Sequence, residues 1–192
     1  MTFEQYLDRF MGVREHVELV RGVTIERMAA QFEHERLFGW LYPLMVQLAE
    51  DDDLGIVLGS RSAVKIDQFG GRLPDILFIR KENLGLIQEK AIFGAPDLVI
   101  EIRSPGDRPH HIIELEADYR SIGVPEIWFL DIKRKQARVL LKSNGYRETI
   151  IQSGVLESQT MAGLRLPVEW LFQEPRPKIR EALAKMRDLV GG

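Results

Sequence analysis

Pro96-Asp97-Leu98-Val99-Ile100-Glu101-Ile102-Arg103 is the stretch on which the fold turns. Its polar and apolar residues follow the two-residue period of a β-strand. Asp97, Val99, Glu101 and Arg103 therefore share one face, and Leu98, Ile100 and Ile102 share the other. Glu101 stands between apolar neighbours, where a carboxylate costs free energy unless a partner compensates it. A second strand is predicted shortly before, over Pro74 to Ile79, and it too carries an acid near its start, Asp75.

Working outward from these two strands, the rest of the chain alternates helical and strand signals. Glu15 to Met28 alternates around Gly22 and predicts two short strands joined at a glycine turn. From Gln31 to Glu50, Leu37, Phe38, Leu41, Leu44, Met45 and Leu48 keep the three-and-four spacing of an amphipathic helix, with Pro43 as the expected point of a kink. Leu54 to Leu58 and Ser62 to Ile66 read as strands, and Gly70-Gly71 reads as a turn. A short helix fits the polar stretch Glu82 to Glu89. Downstream, a helix over His110 to Ile122 stops at Gly123. Strand Glu126 to Asp131, a turn at Lys133 to Lys135 and strand Gln136 to Leu141 follow. Short β segments, a Leu164 to Phe172 stretch, a loop at Glu174 to Pro177 and a polar helix to Val190 close the sequence. The order predicts an α/β to mixed (α+β) class with an N-terminal β hairpin.

At 192 residues, 45% hydrophobic and 29% charged, the chain suits one domain over 1–192, with its core at about 15–172 and a C-terminal helix at about 176–190. No apolar run approaches the roughly 18 residues of a membrane helix and no cleavable leader is visible, so no membrane partner and a cytoplasmic location are expected. With no cysteine, disulfides, thiolate zinc sites and cysteine nucleophiles are excluded, and the available metal ligands are carboxylates and histidines. A net charge of −3 means that contact with a polyanion needs a local basic patch or a bridging cation.

Pro74-Asp75 and Pro96-Asp97 both fit the first acid of a Pro-Asp…Glu-x-Lys pattern, and geometry chooses between them. Asp97 lies four residues from Glu101 on one strand, about 13 Å at roughly 3.3 Å per residue, too far to share an ion. Asp75 lies on another strand, and neighbouring strands run only about 4.8 Å apart, so Asp75 and Glu101 form the viable pair. Two carboxylates that close repel unless a cation or proton separates them, and oxygen ligands favour Mg2+ or Mn2+. An ion there suits phosphodiester hydrolysis, with Arg103 placed to clamp a phosphate oxygen through its planar fork. The residue types alone also fit a structural network of Asp–Arg and Glu–Arg pairs.

The sequence resembles the Uma-two family of restriction endonucleases, assigned to the PD-(D/E)XK nuclease fold. The resemblance is carried by Glu18-Leu19-Val20-Arg21-Gly22, His34, Pro74-Asp75-Ile76-Leu77-Phe78 and Pro96-Asp97-Leu98-Val99-Ile100-Glu101-Ile102-Arg103-Ser104-Pro105. Tyr119 and then Gly123-Val124-Pro125-Glu126-Ile127-Trp128-Phe129-Leu130-Asp131 complete it. It implies a mixed central sheet flanked by helices, with Asp75 and Glu101 at the family's metal-binding positions. It also implies a metal-dependent endonuclease acting on nucleic acid, in the first place DNA. Members of the family usually carry a lysine four residues before the tyrosine matching Tyr119, and here that residue is Leu115. Arg103 holds the third position of Glu-x-Lys, where it can stabilise charge but accepts a proton poorly. These departures support an alternative, a catalytically weakened nuclease-fold protein that binds nucleic acid or a partner. Homodimerisation is expected by analogy with enzymes that cut two strands.

Further candidates each carry a plainer alternative. His34 shares the helix's apolar face with Leu37 and Phe38 and is a candidate catalytic residue near the pair, or else a core histidine with a backbone partner. Glu35 beside it is a minor candidate ligand, or a solvated helix charge. Arg108, His110 and His111 are candidate phosphate contacts, or exposed residues at a helix start. Lys133-Arg134-Lys135 with Arg138 is the densest basic cluster and fits either a nucleic-acid contact or a solvated turn. Trp128 and Phe129 are read as core.

Overall fold

Alternation along the two acid-bearing strands sorts the hydrocarbon into two layers, one on each face of a sheet. The structure, a computed structural model, describes residues 1–10, 17–26, 31–59, 61–103 and 109–190, with the side chains of 109 and 190 excepted. The chain opens with helix α1 (Phe3–Phe10), strands β1 (Val17–Val20) and β2 (Val23–Glu26), and the long helix α2 (Phe32–Asp51), which runs through Pro43 unbroken. Strands β3 (Gly55–Gly59), β4 (Val64–Asp67), β5 (Gly70–Arg72) and β6 (Ile76–Arg80) follow, then a 3-10 turn over Lys81–Leu86. The acid-bearing strand is β7 (Leu98–Arg103), followed by α3 (Pro109–Ser121), β8 (Glu126–Asp131) and β9 (Gln136–Leu141). The last elements are β10 (Glu148–Ile151), β11 (Val155–Glu157), β12 (Arg165–Pro167), the single turn α4 (Glu169–Phe172) and α5 (Ile179–Val190).

Six strands form the central sheet in the order β10-β9-β8-β7-β6-β3. Only β7 and β8 run parallel, so the sheet is mixed, as expected. A parallel pair needs a crossover, and α3 supplies it. On one face Ile76, Phe78, Leu98, Ile100 and Trp128 pack beneath α2 and α5, through residues such as Leu41, Leu44 and Met186. On the other, Leu77, Val99, Ile127 and Phe129 pack against Ile112, Leu115 and Tyr119 of α3. Burying a large apolar side chain stabilises by roughly 1.5–3 kcal/mol, so these layers hold β7 from both sides. Buried residues also reach beyond 15–172, with Phe3 and Tyr6 at one end and Ala182 and Met186 at the other. Among the described residues no helix is long and apolar enough to cross a membrane.

A second, four-stranded sheet of order β2-β1-β5-β4 stands beside the first. Its hairpin β1–β2 turns at Arg21 and Gly22, both with positive φ, where glycine is the natural occupant of the second position. Gly70 and Gly71 do not form the turn expected of them. They lie inside β5, where Gly71 pairs with Leu19 of β1 and Lys65 of β4. The reason for a glycine there is close approach, since a Cβ on Gly71 would lie 2.4 Å from the Phe3 ring of α1. That helix was not among the elements expected, although Phe3, Tyr6, Leu7 and Phe10 carry helical spacing.

Candidate active site

Each acid of the pair is placed by a strand with both faces covered. Ile76 of β6 lies opposite Ile100 of β7, and the same antiparallel register carried one step further sets Asp75 against Glu101. Both carboxylates are 2% exposed. Asp75 Oδ2 accepts the backbone N–H of Ile102 at 2.7 Å and lies 3.1 Å from His34 Nε2 on the first turn of α2. Glu101 Oε1 accepts a 2.5 Å hydrogen bond from the Tyr119 hydroxyl of α3. An amide, an imidazole and a phenol are thus among the partners of the two acids. His34 does approach the pair, while its neighbour Glu35 stays largely in solvent, 3.4 Å from His34 Nδ1.

Asp97, set aside on spacing, serves elsewhere. It accepts the Arg80 N–H at 2.8 Å and the Asn83 amide at 2.9 and 3.0 Å, closing the turn after β6.

Behind the pair runs a buried ionic chain that the sequence did not announce. Arg72, at the end of β5 and 1% exposed, donates from Nη1 to Glu18 Oε2 at 3.0 Å and from Nε to Asp118 Oδ2 at 2.7 Å. Glu18 Oε1 accepts the Leu73 N–H at 3.2 Å. Burial works against the Arg72 charge, but Glu18 and Asp118 outweigh it and hold the guanidinium above its ordinary pKa. Burial, then the charges of Glu101 and Glu18, push the Tyr119 hydroxyl well above the usual tyrosine value, with Arg72 opposing. Tyr119 accordingly keeps its proton and acts as donor. Glu18 was visible as part of a motif, but Arg72 sat in a segment read as a turn, where no face is assigned.

The remaining candidates separate cleanly. Arg103 is held by Asp131, the residue across from it on parallel β8, at 3.1 Å. Leu115 is buried in the apolar layer beneath α3. Lys133, Arg134 and Lys135 form an exposed turn, but Arg138 is tied to Glu116 at 2.6 and 2.8 Å and lies over the Phe129 ring. Trp128 and Phe129 are buried on opposite faces of β8. His110 is exposed and His111 half-buried. Arg108 and Ser104-Pro105 lie outside the described residues, as do Glu15 and Met28 at the expected limits of the hairpin.

Among the described residues no three His, Asp or Glu side chains converge as a metal cage. The donor chemistry nonetheless fits a hard divalent ion. Magnesium commonly keeps several waters and binds through one or two carboxylates, and here two buried carboxylates come from adjoining strands. They lie toward the carboxyl end of the parallel pair, the end at which open α/β sheets bind ligands.

The family described as Putative restriction endonuclease (Uma2) matches residues 3–169, most of the chain. Among solved structures, the chain is similar to a putative nuclease belonging to DUF820 from Anabaena variabilis ATCC 29413, with 16% sequence identity and a TM-score of 0.72. The match covers 86% of this chain and 96% of that one, and at this identity it shows a shared fold. No curated protein matches the sequence.

Proposed function

The chain belongs to the Uma2 family of putative restriction endonucleases, and from that premise we propose that it is a Mg2+- or Mn2+-dependent nuclease acting on DNA. Membership supports a nuclease-type function; the ion, the substrate and the residue roles are our reading. The observation that carries it is the placement of two buried acids opposite one another, Asp75 immediately before β6 and Glu101 on the neighbouring β7.

In this reading Asp75 and Glu101 hold the ion. When bound, it supplies positive charge for the phosphoryl oxygens and eases deprotonation of the attacking water. Tyr119 keeps Glu101 oriented through its short hydrogen bond, and the Ile102 amide does the same for Asp75. His34 faces Asp75 through Nε2 and can hold or pass a proton there. Arg103, braced by Asp131, offers its remaining donors to a phosphate oxygen. A homodimer would present two such sites to the two strands of a duplex.

A titration of manganese into the metal-free protein tests the site, followed by cleavage of supercoiled plasmid. Binding and nicking are expected in the native chain, and both are lost in Asp75→Ala and Glu101→Ala. Undiminished activity in both folded variants would sink the assignment.

A second reading, a nuclease fold weakened in turnover that acts as a binding module, is favoured by the burial of Leu115 at the position where the family resemblance leads one to expect a lysine. Leu115→Lys discriminates. A pocket otherwise competent gains cleavage despite a destabilisation of about 2 kcal/mol or more from a charge in an apolar layer. Manganese binding with no gain in cleavage favours the module.

A further inference from the structure

We infer that Arg72 is a positioning residue for the acidic pair: by joining Glu18 of β1 to Asp118 of α3, it holds Tyr119 against Glu101. The inference rests on reading Asp75 and Glu101 as the working groups of the site. Arg72 stands three residues before Asp75, and Asp118 directly precedes Tyr119. One guanidinium therefore ties together the hairpin, the strand leading to Asp75 and the turn of helix that carries the Glu101 partner. Glu18 adds to the tie through the Leu73 amide, on the path from β5 to Asp75.

Apolar packing under α3, through Ile112, Leu115 and Tyr119, is non-directional, so the fine azimuth of the helix is set by directional ties, Glu116 to Arg138 and Asp118 to Arg72. A hydrogen bond is directional and weakens steeply with misalignment. Successive residues on a helix are about 100° apart, so a tether at Asp118 sets the azimuth of Tyr119 beside it. The 2.5 Å Tyr119–Glu101 contact depends on that azimuth.

Arginine suits this task and lysine does not. Two different nitrogens, Nε and Nη1, reach carboxylates on two elements, which a planar fork manages and a single ammonium does not reproduce. The third nitrogen, Nη2, is buried without a hydrogen-bond partner among the described residues. Removing Arg72 alone would strand the buried carboxylate of Glu18, so the arginine also contributes to stability. Its two ties differ from simple charge compensation in that one of them ends on the residue next to Tyr119.

Proton NMR of the metal-free full chain tests the inference without relying on activity. A downfield hydroxyl resonance, assigned by its loss in Tyr119→Phe, is expected in the native protein. In Arg72→Gln it disappears or moves upfield, and Arg72→Lys gives a partial change. Asp118→Asn, at a side chain 33% exposed and so tolerant of change, gives the same direction of shift even if Arg72→Gln fails to fold. Manganese affinity should fall about tenfold or more in Arg72→Gln, as for partners that orient ligands, and no further in the double variant with Tyr119→Phe than in Tyr119→Phe alone. A native spectrum lacking the resonance overturns the inference, as does a resonance unmoved in Asp118→Asn and in any folded Arg72 variant. Additive affinity losses in the double variant overturn it too. If the native chain binds no manganese, the ion reading fails, and the resonance alone decides the role of Arg72.

Discussion

Glu126 and Glu101 are both buried acids on the same parallel pair of strands, one at the start of β8 and the other toward the end of β7, yet their surroundings differ in kind. Glu126 is surrounded by neutral donors. Trp128 Nε1 reaches its Oε1 at 2.7 Å, while the Ser158 hydroxyl, the Gln159 and Thr160 amides and the Thr160 hydroxyl converge on its Oε2 at 2.8 to 3.0 Å. It pins the loop between β11 and β12 to the sheet. Glu101 instead accepts from a buried phenol, Tyr119, and the register of β6 and β7 sets it opposite a second acid, Asp75. Burial alone therefore does not mark a working site. A carboxylate ringed by neutral donors gives stability, whereas two facing carboxylates cost stability and gain affinity for a cation.

The largest effect should come from Glu126→Ala. Stranding this set of buried donors should cost about 3 kcal/mol or more, read from urea denaturation, with manganese affinity per folded molecule unchanged. Glu101→Gln should behave oppositely. The metal-free protein stays as stable or gains up to about 1 kcal/mol from the lost repulsion, while manganese affinity falls about tenfold or more. A Glu101→Gln protein that melts like Glu126→Ala would erase the distinction between the two acids.

The smallest effect concerns a buried neutral acid away from both. Burial above all, then the charge of Glu18, pushes the Tyr6 hydroxyl up to about 12, and its proton is donated to the Val17 carbonyl at 2.5 Å. With the folded value raised, its contribution is complete below the ordinary tyrosine value near 10 and is lost as pH rises from there toward 12. Urea midpoints across that range should fall less steeply in Tyr6→Phe than in the native chain.

Much of this was legible in advance because the relevant signals are periodic. The limits of β8 and β9 were expected as they stand, and the two faces of β7 follow from alternation alone. Strand spacing left Asp75 as the candidate partner of Glu101, whereas the register that sets the two opposite one another came only with the structure. What the sequence hid was non-local. The close approach of Phe3 to Gly71 makes a pair of glycines look like a turn when they are strand, and that misreading removed Arg72 from view. Nor could Glu18, Arg72 and Asp118 be joined beforehand, since they lie on three elements and the second sheet, of which local pattern shows only the β1–β2 hairpin, is what brings them together.

The crossover from β7 through α3 to β8 also bears on the order in which the site can assemble. The Tyr119–Glu101 contact closes 18 residues, the Ile102–Asp75 contact 27 and the His34–Asp75 contact 41. Closing the longest of these loops costs about 0.7 kcal/mol more in chain entropy than closing the shortest, as one and a half RT times the logarithm of the length ratio. During folding the Glu101 half is favoured to mature first within a self-contained βαβ unit, and Asp75 and then His34 dock onto an acid already held in place.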